Sequence, residues 1–170
     1  MSKFSLSIII PIFNEANNIE KLNDKIKKNL SSINFEIIFV DDNSLDNSKK
    51  VLKKLKREYR FFNPIFRNKK RDLTQSCFDG IKKSRYRNIL IMDGDLQHDP
   101  KYIPKMINLY QKNSLDIVVG SRPLIKGPNN GLSETRRLAS KILIYFFLVF
   151  NIKTSDPMSG YFLFKKKLFL

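Results

Sequence analysis

Apolar residues in this chain fall into short unbroken runs separated by amphipathic stretches. Phe4–Ile12, Phe35–Val40 and Ile89–Met92 are nearly continuous apolar runs of strand length, the pattern of strands buried on both faces. Phe61–Phe66 and Asp116–Gly120 read as two further strands, the first weakened by Pro64, and Tyr161–Phe164 as a late one. Between these runs apolar residues recur at three or four positions. Ile19, Leu22, Ile26 and Leu30 predict a helix after Asn14; Val51, Leu52, Leu55 and Tyr59 predict one starting at Asp46–Ser48. Thr74–Ser84 and Pro100–Lys112 read as two more helices, the first interrupted by Gly80. Asn14 and Asp99 stand where N-caps belong, and Pro100 suits a first turn. Strands alternating with helices at this spacing predict a single α/β domain with a mostly parallel, doubly wound sheet.

The strongest strands run straight into polar residues. The first ends in Pro11-Ile12-Phe13-Asn14-Glu15, the second in Asp41-Asp42-Asn43-Ser44-Leu45-Asp46, and the fourth in Asp93-Gly94-Asp95-Leu96-Gln97-His98-Asp99. Open α/β sheets keep their ligands at such carboxyl ends. Two acids separated by one residue repel each other and lose hydration, which a divalent cation with oxygen ligands would offset. In extended backbone Asp93 and Asp95 point to the same side, Gly94 lets a ligand approach the main chain, and Gln97 repeats the spacing with a neutral oxygen. A bare D-x-D also reads as an ordinary turn after a strand, so this motif alone decides nothing.

Charge changes the picture more than composition does. The chain has 170 residues, enough for one domain with a real core, and a formal net charge of +16. A field of this sign attracts nucleic acid, anionic lipid or phosphorylated substrates, although lysine-rich helix faces also read as plain solvated surface. No aromatic-interleaved basic platform or reader motif supports a nucleic-acid partner. A single cysteine, Cys77, excludes an internal disulfide and a thiolate metal site, and its helical context predicts a buried apolar role. A single histidine, His98, cannot build a His-rich zinc site and is expected beside the carboxylates, no closer than their supporting groups. No G-x-G-x-x-G follows the first strand and no Walker lysine loop is present, which removes dinucleotide and P-loop readings.

Beyond Ser133 the pattern shifts. Arg136, Arg137 and Lys141 precede the apolar run Ile142–Phe150, which reads equally as a core helix or a helix in a membrane interface. Neither this run nor any other reaches the ~20 residues that a spanning helix requires. No signal peptide precedes the first strand, which predicts a cytoplasmic location. Gly127-Pro128-Asn129-Asn130-Gly131 predicts a mobile loop, and the stop at Leu170 among apolar residues reads as a chain cut from something longer.

Taken in order, Pro11-Ile12-Phe13-Asn14-Glu15, Val40-Asp41-Asp42-Asn43-Ser44, Asp93 through Pro100, Gly120-Ser121-Arg122, Arg136 through Ser140 and Asp156-Pro157-Met158-Ser159-Gly160 give a pattern that resembles glycosyltransferase family 2, specifically its dolichyl- and polyprenyl-phosphate sugar transferases. The resemblance covers nearly the whole chain. It implies a GT-A fold, with residues 4–122 binding a nucleotide-sugar donor and metal and 123–170 binding the acceptor, including a membrane-interface helix over 134–151. It also implies that Pro11, Phe13, Glu15, Val40, Asp42 and Asp46 hold base and ribose, with Arg67 and Lys70 flanking the donor. Asp93, Asp95 and Gln97 would hold Mg2+ or Mn2+ against the diphosphate, and Arg122, Arg136, Ser140 and Lys165 would grip the acceptor phosphate. Asp95, Arg122, Arg136 and Ser140 are the expected catalytic set.

Two positions depart from the family: Asp72 stands where a glycine is usual, and Lys165 lies near where many members carry arginine. The implied reaction is inverting sugar transfer from a nucleoside diphosphate to a polyprenyl phosphate by an enzyme peripheral to the cytoplasmic face of a membrane; an oligomer or a membrane-anchored partner subunit stays open. Transfer to a glycan hydroxyl would instead require a carboxylate base, for which Asp156 and then Asp99 are the candidates. A third reading is a non-catalytic nucleotide- or anion-binding remnant.

Overall fold

The computed structural model describes residues 4–121 and 159–169. In chain order these form strand β1 (Ser5–Ile12), helix α1 (Ala16–Asn29), β2 (Asn34–Asp41), α2 (Ser48–Glu58), β3 (Ile65–Phe66), α3 (Leu73–Lys83), β4 (Asn88–Ile91), a 3-10 turn (Pro100–Tyr102), α4 (Ile103–Lys112), β5 (Ile117–Val119), β6 (Phe162–Lys165) and a second 3-10 turn (Lys166–Leu168). They join one six-stranded sheet in the order β3-β2-β1-β4-β6-β5. β1 pairs in parallel with β2 and β4, and β2 with β3; β6 runs antiparallel to both β4 and β5. The expected alternation of strands and helices is therefore present, with one reversed strand inserted near an edge.

The unbroken apolar runs have the cause inferred from sequence. Leu6, Ile8, Ile10, Ile37 and Phe39 face one side, where α1, α2 and α4 bring Ile19, Leu22, Ile26, Leu52, Leu55, Ile103 and Met106. Ile9, Ile38, Val40, Ile89 and Ile91 face the other side against Cys77 and Ile81 of α3. Fully burying one such aliphatic side chain contributes roughly 1.5–3 kcal/mol, so this double-sided burial is the main source of the sheet's stability.

Three local expectations change. The run Phe61–Phe66 is not one strand: Phe62 makes an isolated bridge to Ile37, and only Ile65–Phe66 joins the ladder beyond Pro64, which has no N–H to donate. Asn14 does not cap α1. It adopts a left-handed φ of 58°, and Glu15 takes the cap position without a side-chain hydrogen bond to the helix backbone. Gly80 does not weaken α3 but brings it close to the sheet, since an added Cβ would lie 2.5 Å from Ile9 Cγ2 and 3.2 Å from Val40 Cγ2.

The strand order reverses direction at β1 and β4. The chain first winds outward from β1 through β2 to β3, then crosses to β4 on the other side. Crevices form beyond the carboxyl ends at such a switch point. The loops after β1, β2 and β4 all open there.

Candidate active site

The loops after β1 and β2 are fastened to each other. The Asn14 N–H donates to Ser44 Oγ at 2.9 Å, and Asn14 Oδ1 accepts from the Leu45 N–H at 2.9 Å. The Glu15 N–H donates to Ser48 Oγ at 3.1 Å, and the Ala16 N–H to Asp46 Oδ2 at 3.1 Å. Asp46 Oδ1 meanwhile accepts from the Ser48 N–H at 2.9 Å. Both oxygens of Asp46 therefore hold backbone. Desolvation works against ionisation, but the hydrogen bonds from Ser48 and Ala16 outweigh it and keep this carboxyl below its ordinary value. Sequence places Asp46 at the nucleotide; its observed hydrogen bonds make it a clasp between the two loops. Asn14 serves that clasp because asparagine tolerates left-handed backbone better than most residues.

Under the second loop lies a buried ion-pair network. Arg67 leaves the end of β3 and turns inward, with its side chain 5% exposed. Its guanidinium donates to Asp42 Oδ1, to Asp79 Oδ2 at 3.0 Å, to the Asp72 carbonyl at 3.0 Å and to Ser76 Oγ at 3.0 Å. Asp42 Oδ2 accepts the Asp72 N–H at 2.7 Å. Asp72 Oδ1 then accepts the Gln75 N–H at 3.0 Å and caps α3. The departure from glycine at position 72 thus has a local reason: its φ is −158°, which any residue adopts, and the carboxylate supplies a cap. Arg67 reaches this place by holding Asp42 from below, while Lys70 is exposed on the loop between them and α3. Arg71, not singled out in the sequence, lies with its guanidinium carbon 4.2 Å from the centroid of the half-buried Phe13 ring. Pro11 and Val40 are buried partners in the β1–β2 ladder. Val40 packs beneath α3, its side chain in the core with Cys77 and Ile81.

Across the switch point stands the segment after β4. The Met92 N–H still donates to the Ile9 carbonyl at 3.1 Å, and the chain then bends over residues 94–96, with Leu96 at a φ of 66°. The projection of Asp93 and Asp95 to one side therefore cannot be read from strand pleating. Gly94 also serves packing. A Cβ there would lie 2.6 Å from Ile12 Cγ2, so its lack of a side chain seats the bend against β1. The Asp93 side chain is 43% exposed. Asp95 Oδ1 accepts the Gln97 N–H at 3.0 Å, and Gln97 is exposed. Asp99 caps the 3-10 turn through the Lys101 N–H at 3.0 Å. That bond and the Lys101 ammonium hold its carboxyl below its ordinary value.

His98 is buried beside these carboxylates, as expected, and Nδ1 accepts the Asp93 N–H at 3.0 Å. Tyr161 stacks on its ring at 4.9 Å between centroids and 14° between planes. Gly160, at a φ of 67°, passes so close that a Cβ would lie 3.3 Å from Asp93 Oδ2. Sequence reasoning picked out Asp156 through Gly160 as a motif but not its contact with Asp93 and His98, because residues 159–161 are far from Asp93 in the chain.

Among the described residues no three His, Cys, Asp or Glu side chains gather closely enough to hold a metal by themselves. The donor set of Asp93, Asp95 and Gln97 is all hard oxygen, which fits Mg2+ or Mn2+ completed by oxygens of a bound diphosphate. Arg122, Arg136, Ser140 and Asp156 lie outside the described residues, as do the loop over 127–131 and the interface helix over 134–151. Lys165 is not brought to this site. β6 is antiparallel, so Lys165 stands level with Asn88 at the start of β4 and bonds Asp116 Oδ1 at 2.7 Å. At ~3.3 Å per strand residue that is about 16 Å of strand from Asp93.

The profile of Glycosyl transferase family 2 matches residues 7–170. The dolichol-phosphate mannosyltransferase of Pyrococcus furiosus is 35% identical over 166 residues, covering 96% of this chain and 47% of that protein. The Saccharomyces cerevisiae protein of the same name is 29% identical over 164 residues, covering 95% and 61%. The chain thus spans about half the length of the curated relatives it matches. Among solved structures, mannosyl-3-phosphoglycerate synthase from Rubrobacter xylanophilus superposes with a TM-score of 0.70 at 16% identity, covering 97% of this chain and 55% of that one. A Pyrobaculum calidifontis mannosyltransferase solved with GDP-Man and Mn2+ gives 0.64 at 16% identity, covering 95% and 44%. These neighbours share the GT-A fold. With its profile, its relatives and its switch-point architecture in agreement, this chain belongs to glycosyltransferase family 2.

Proposed function

We propose that this chain is an inverting glycosyltransferase domain that moves a sugar from a nucleoside diphosphate to a polyprenyl phosphate at the cytoplasmic surface of a membrane. GDP-mannose is the first donor to test, with UDP-hexoses next. The observation that carries the reading is the pairing, across the β1/β4 switch point, of a clasped loop pair on one side with a half-exposed carboxylate segment on the other. The names of the relatives support the lipid phosphate as acceptor.

Phe13 and Arg71 offer a flat, partly cationic platform for a base, and Asp42 lies buried next to this loop, fixed by Arg67 and the Asp72 N–H. The clasp sets both loops before a donor arrives, which reduces the ordering entropy that binding must overcome. Asp93 and Asp95, with Gln97, would hold the divalent ion. That ion would supply charge neutralisation at the leaving diphosphate. Arg122, Arg136 and Ser140 are assigned to the acceptor phosphate on the family resemblance. Arginine suits this task because its planar fork binds phosphate through two hydrogen bonds. A phosphate monoester is largely dianionic near neutral pH, with a second pKa of about 6, so it attacks without a strong general base. Alignment and charge management are then the enzyme's main work. No helix among the described residues is long and apolar enough to cross a membrane; contact with the bilayer is assigned to the apolar run after Lys141.

The test is incubation of membranes containing the protein with a panel of radiolabelled sugar nucleotides, followed by extraction of the lipid phase. Label in an acid-labile lipid monophosphate sugar supports the reading. Label confined to a glycan favours a hydroxyl acceptor, and nucleotide binding with no transfer from any donor favours the non-catalytic reading. Asp95→Ala is expected to abolish transfer with the fold retained by circular dichroism; full activity in that variant would remove Asp95 from the site.

A further inference from the structure

The proposed function assigns Asp93 to the metal and leaves His98 without a role. The imidazole is 6% exposed and is gripped from two directions. On one side the Asp93 N–H donates to Nδ1 at 3.0 Å. On the other the ring lies flat on Tyr161, whose carbonyl is tied to the Gly120 N–H at 2.8 Å. Nδ1 also lies 3.6 Å from Asp93 Oδ2, a distance at which a protonated ring would form an ion pair. The N–H donation decides against that: the Nδ1 lone pair is already used, so Nδ1 has no proton to give the carboxylate. A buried ring nitrogen that accepts from the main chain anchors the residue while leaving its carboxylate to be directed elsewhere. Gly160, whose φ of 67° favours glycine, packs against both residues: a Cβ there would lie 3.3 Å from Asp93 Oδ2 and 3.4 Å from His98 Cε1.

We propose that His98 is the positioning residue of the metal site: through Nδ1 it fixes the Asp93 main chain, and with Tyr161 and Gly160 it sets the direction in which the Asp93 carboxylate meets a divalent cation. This rests on the assignment of Asp93 to the metal. Groups that orient a metal ligand typically change metal affinity 10–100-fold when lost. His98→Phe keeps a flat ring on Tyr161 but removes the acceptor, whereas His98→Asn restores an acceptor oxygen at a similar reach.

The experiment measures Mn2+ uptake by electron paramagnetic resonance of the free ion, with GDP present, for the wild-type chain and both variants. Mn2+ affinity is expected to fall roughly 10-fold or more in His98→Phe and to recover in part in His98→Asn. GDP binding in EDTA should be alike in all three. Unchanged Mn2+ affinity in a folded His98→Phe would overturn the proposal while leaving the metal site intact. Failure of the wild-type chain to take up Mn2+ would overturn the metal reading itself. His98 is the single histidine of the chain, so histidine-selective 15N labelling reports one ring, and this decides the matter if His98→Phe does not fold. The expected state is the Nε2–H tautomer with Nδ1 accepting, its signals broadened by added Mn2+ and GDP; an Nδ1–H tautomer would overturn the proposal.

Discussion

Arg67→Ala tests whether the buried network beneath the second loop is what holds Asp42 in place. The Arg67 and Asp42 side chains are each 5% exposed, so neither is rescued by water when the other is removed. Truncating the arginine leaves Asp42 charged and buried with one remaining partner, the Asp72 N–H. It also strips a donor from Ser76 Oγ and from the Asp72 carbonyl. Asp79 is less affected because its side chain is 33% exposed and can be hydrated. Removing one partner of a buried pair costs about 3–5 kcal/mol. In a domain of this size 1 kcal/mol shifts the melting temperature by roughly 2–4 °C, so the expected loss is about 6–20 °C. Arg67→Ala combined with Asp42→Asn leaves no stranded charge at position 42 and keeps an acceptor for the Asp72 N–H. That double variant should recover much of the stability while still losing donor binding. Urea denaturation with donor titration on the four proteins of the cycle separates the outcomes. A loss below about 1 kcal/mol in Arg67→Ala, within the range of exposed ion pairs, would refute the network. A double variant as unstable as the single would refute the stranded-charge explanation.

Gly80→Ala sets two effects against each other. Helix propensity favours alanine by about 1 kcal/mol, but the added Cβ meets Ile9 Cγ2 at 2.5 Å and overpacking costs about 1–3 kcal/mol; the melting temperature should therefore fall, and a rise would show that α3 moves away freely. Asp46 has a folded-state pKa below its ordinary 3.8, so its contribution is full above that value and is lost as pH falls through the depressed one. Asp46→Asn should flatten the stability curve below pH of about 4 in acid titrations followed by circular dichroism, and a parallel curve would place the acid sensitivity elsewhere. Burial, with the charges of Asp93, Asp72 and Asp42 behind it, pushes the Cys77 thiol up to about 12. The native chain should therefore resist thiol reagents at neutral pH until it is unfolded, as a colorimetric thiol assay would show.

The periodicity of apolar residues was enough to assign the α/β class and to locate the chemistry at strand ends. Both follow from local rules: burial on two faces demands continuous apolar runs, and polar groups at their carboxyl ends mark where loops leave the sheet. The motif order was enough for the family. What the linear chain could not convey was use. Asp46 and Asp42 look alike as acids after a strand, yet one clasps two backbone segments and the other is locked by an arginine. Gly80 looks like a helix breaker, yet it and Gly94 both serve close packing against β1.

The composition and period of this sequence determined that a mostly parallel sheet would form and that acids would crowd the carboxyl ends of its parallel strands. Only the tertiary structure decided which acids remain turned toward the crevice, that Lys165 is carried to the far end of the sheet, and that residues 159–161 return to support Asp93. The reason is that side-chain periodicity records how each element meets the core, whereas strand order and direction are set by contacts between residues remote in sequence. A lysine at the end of β6 and a histidine after β4 acquire their places from that long-range pairing.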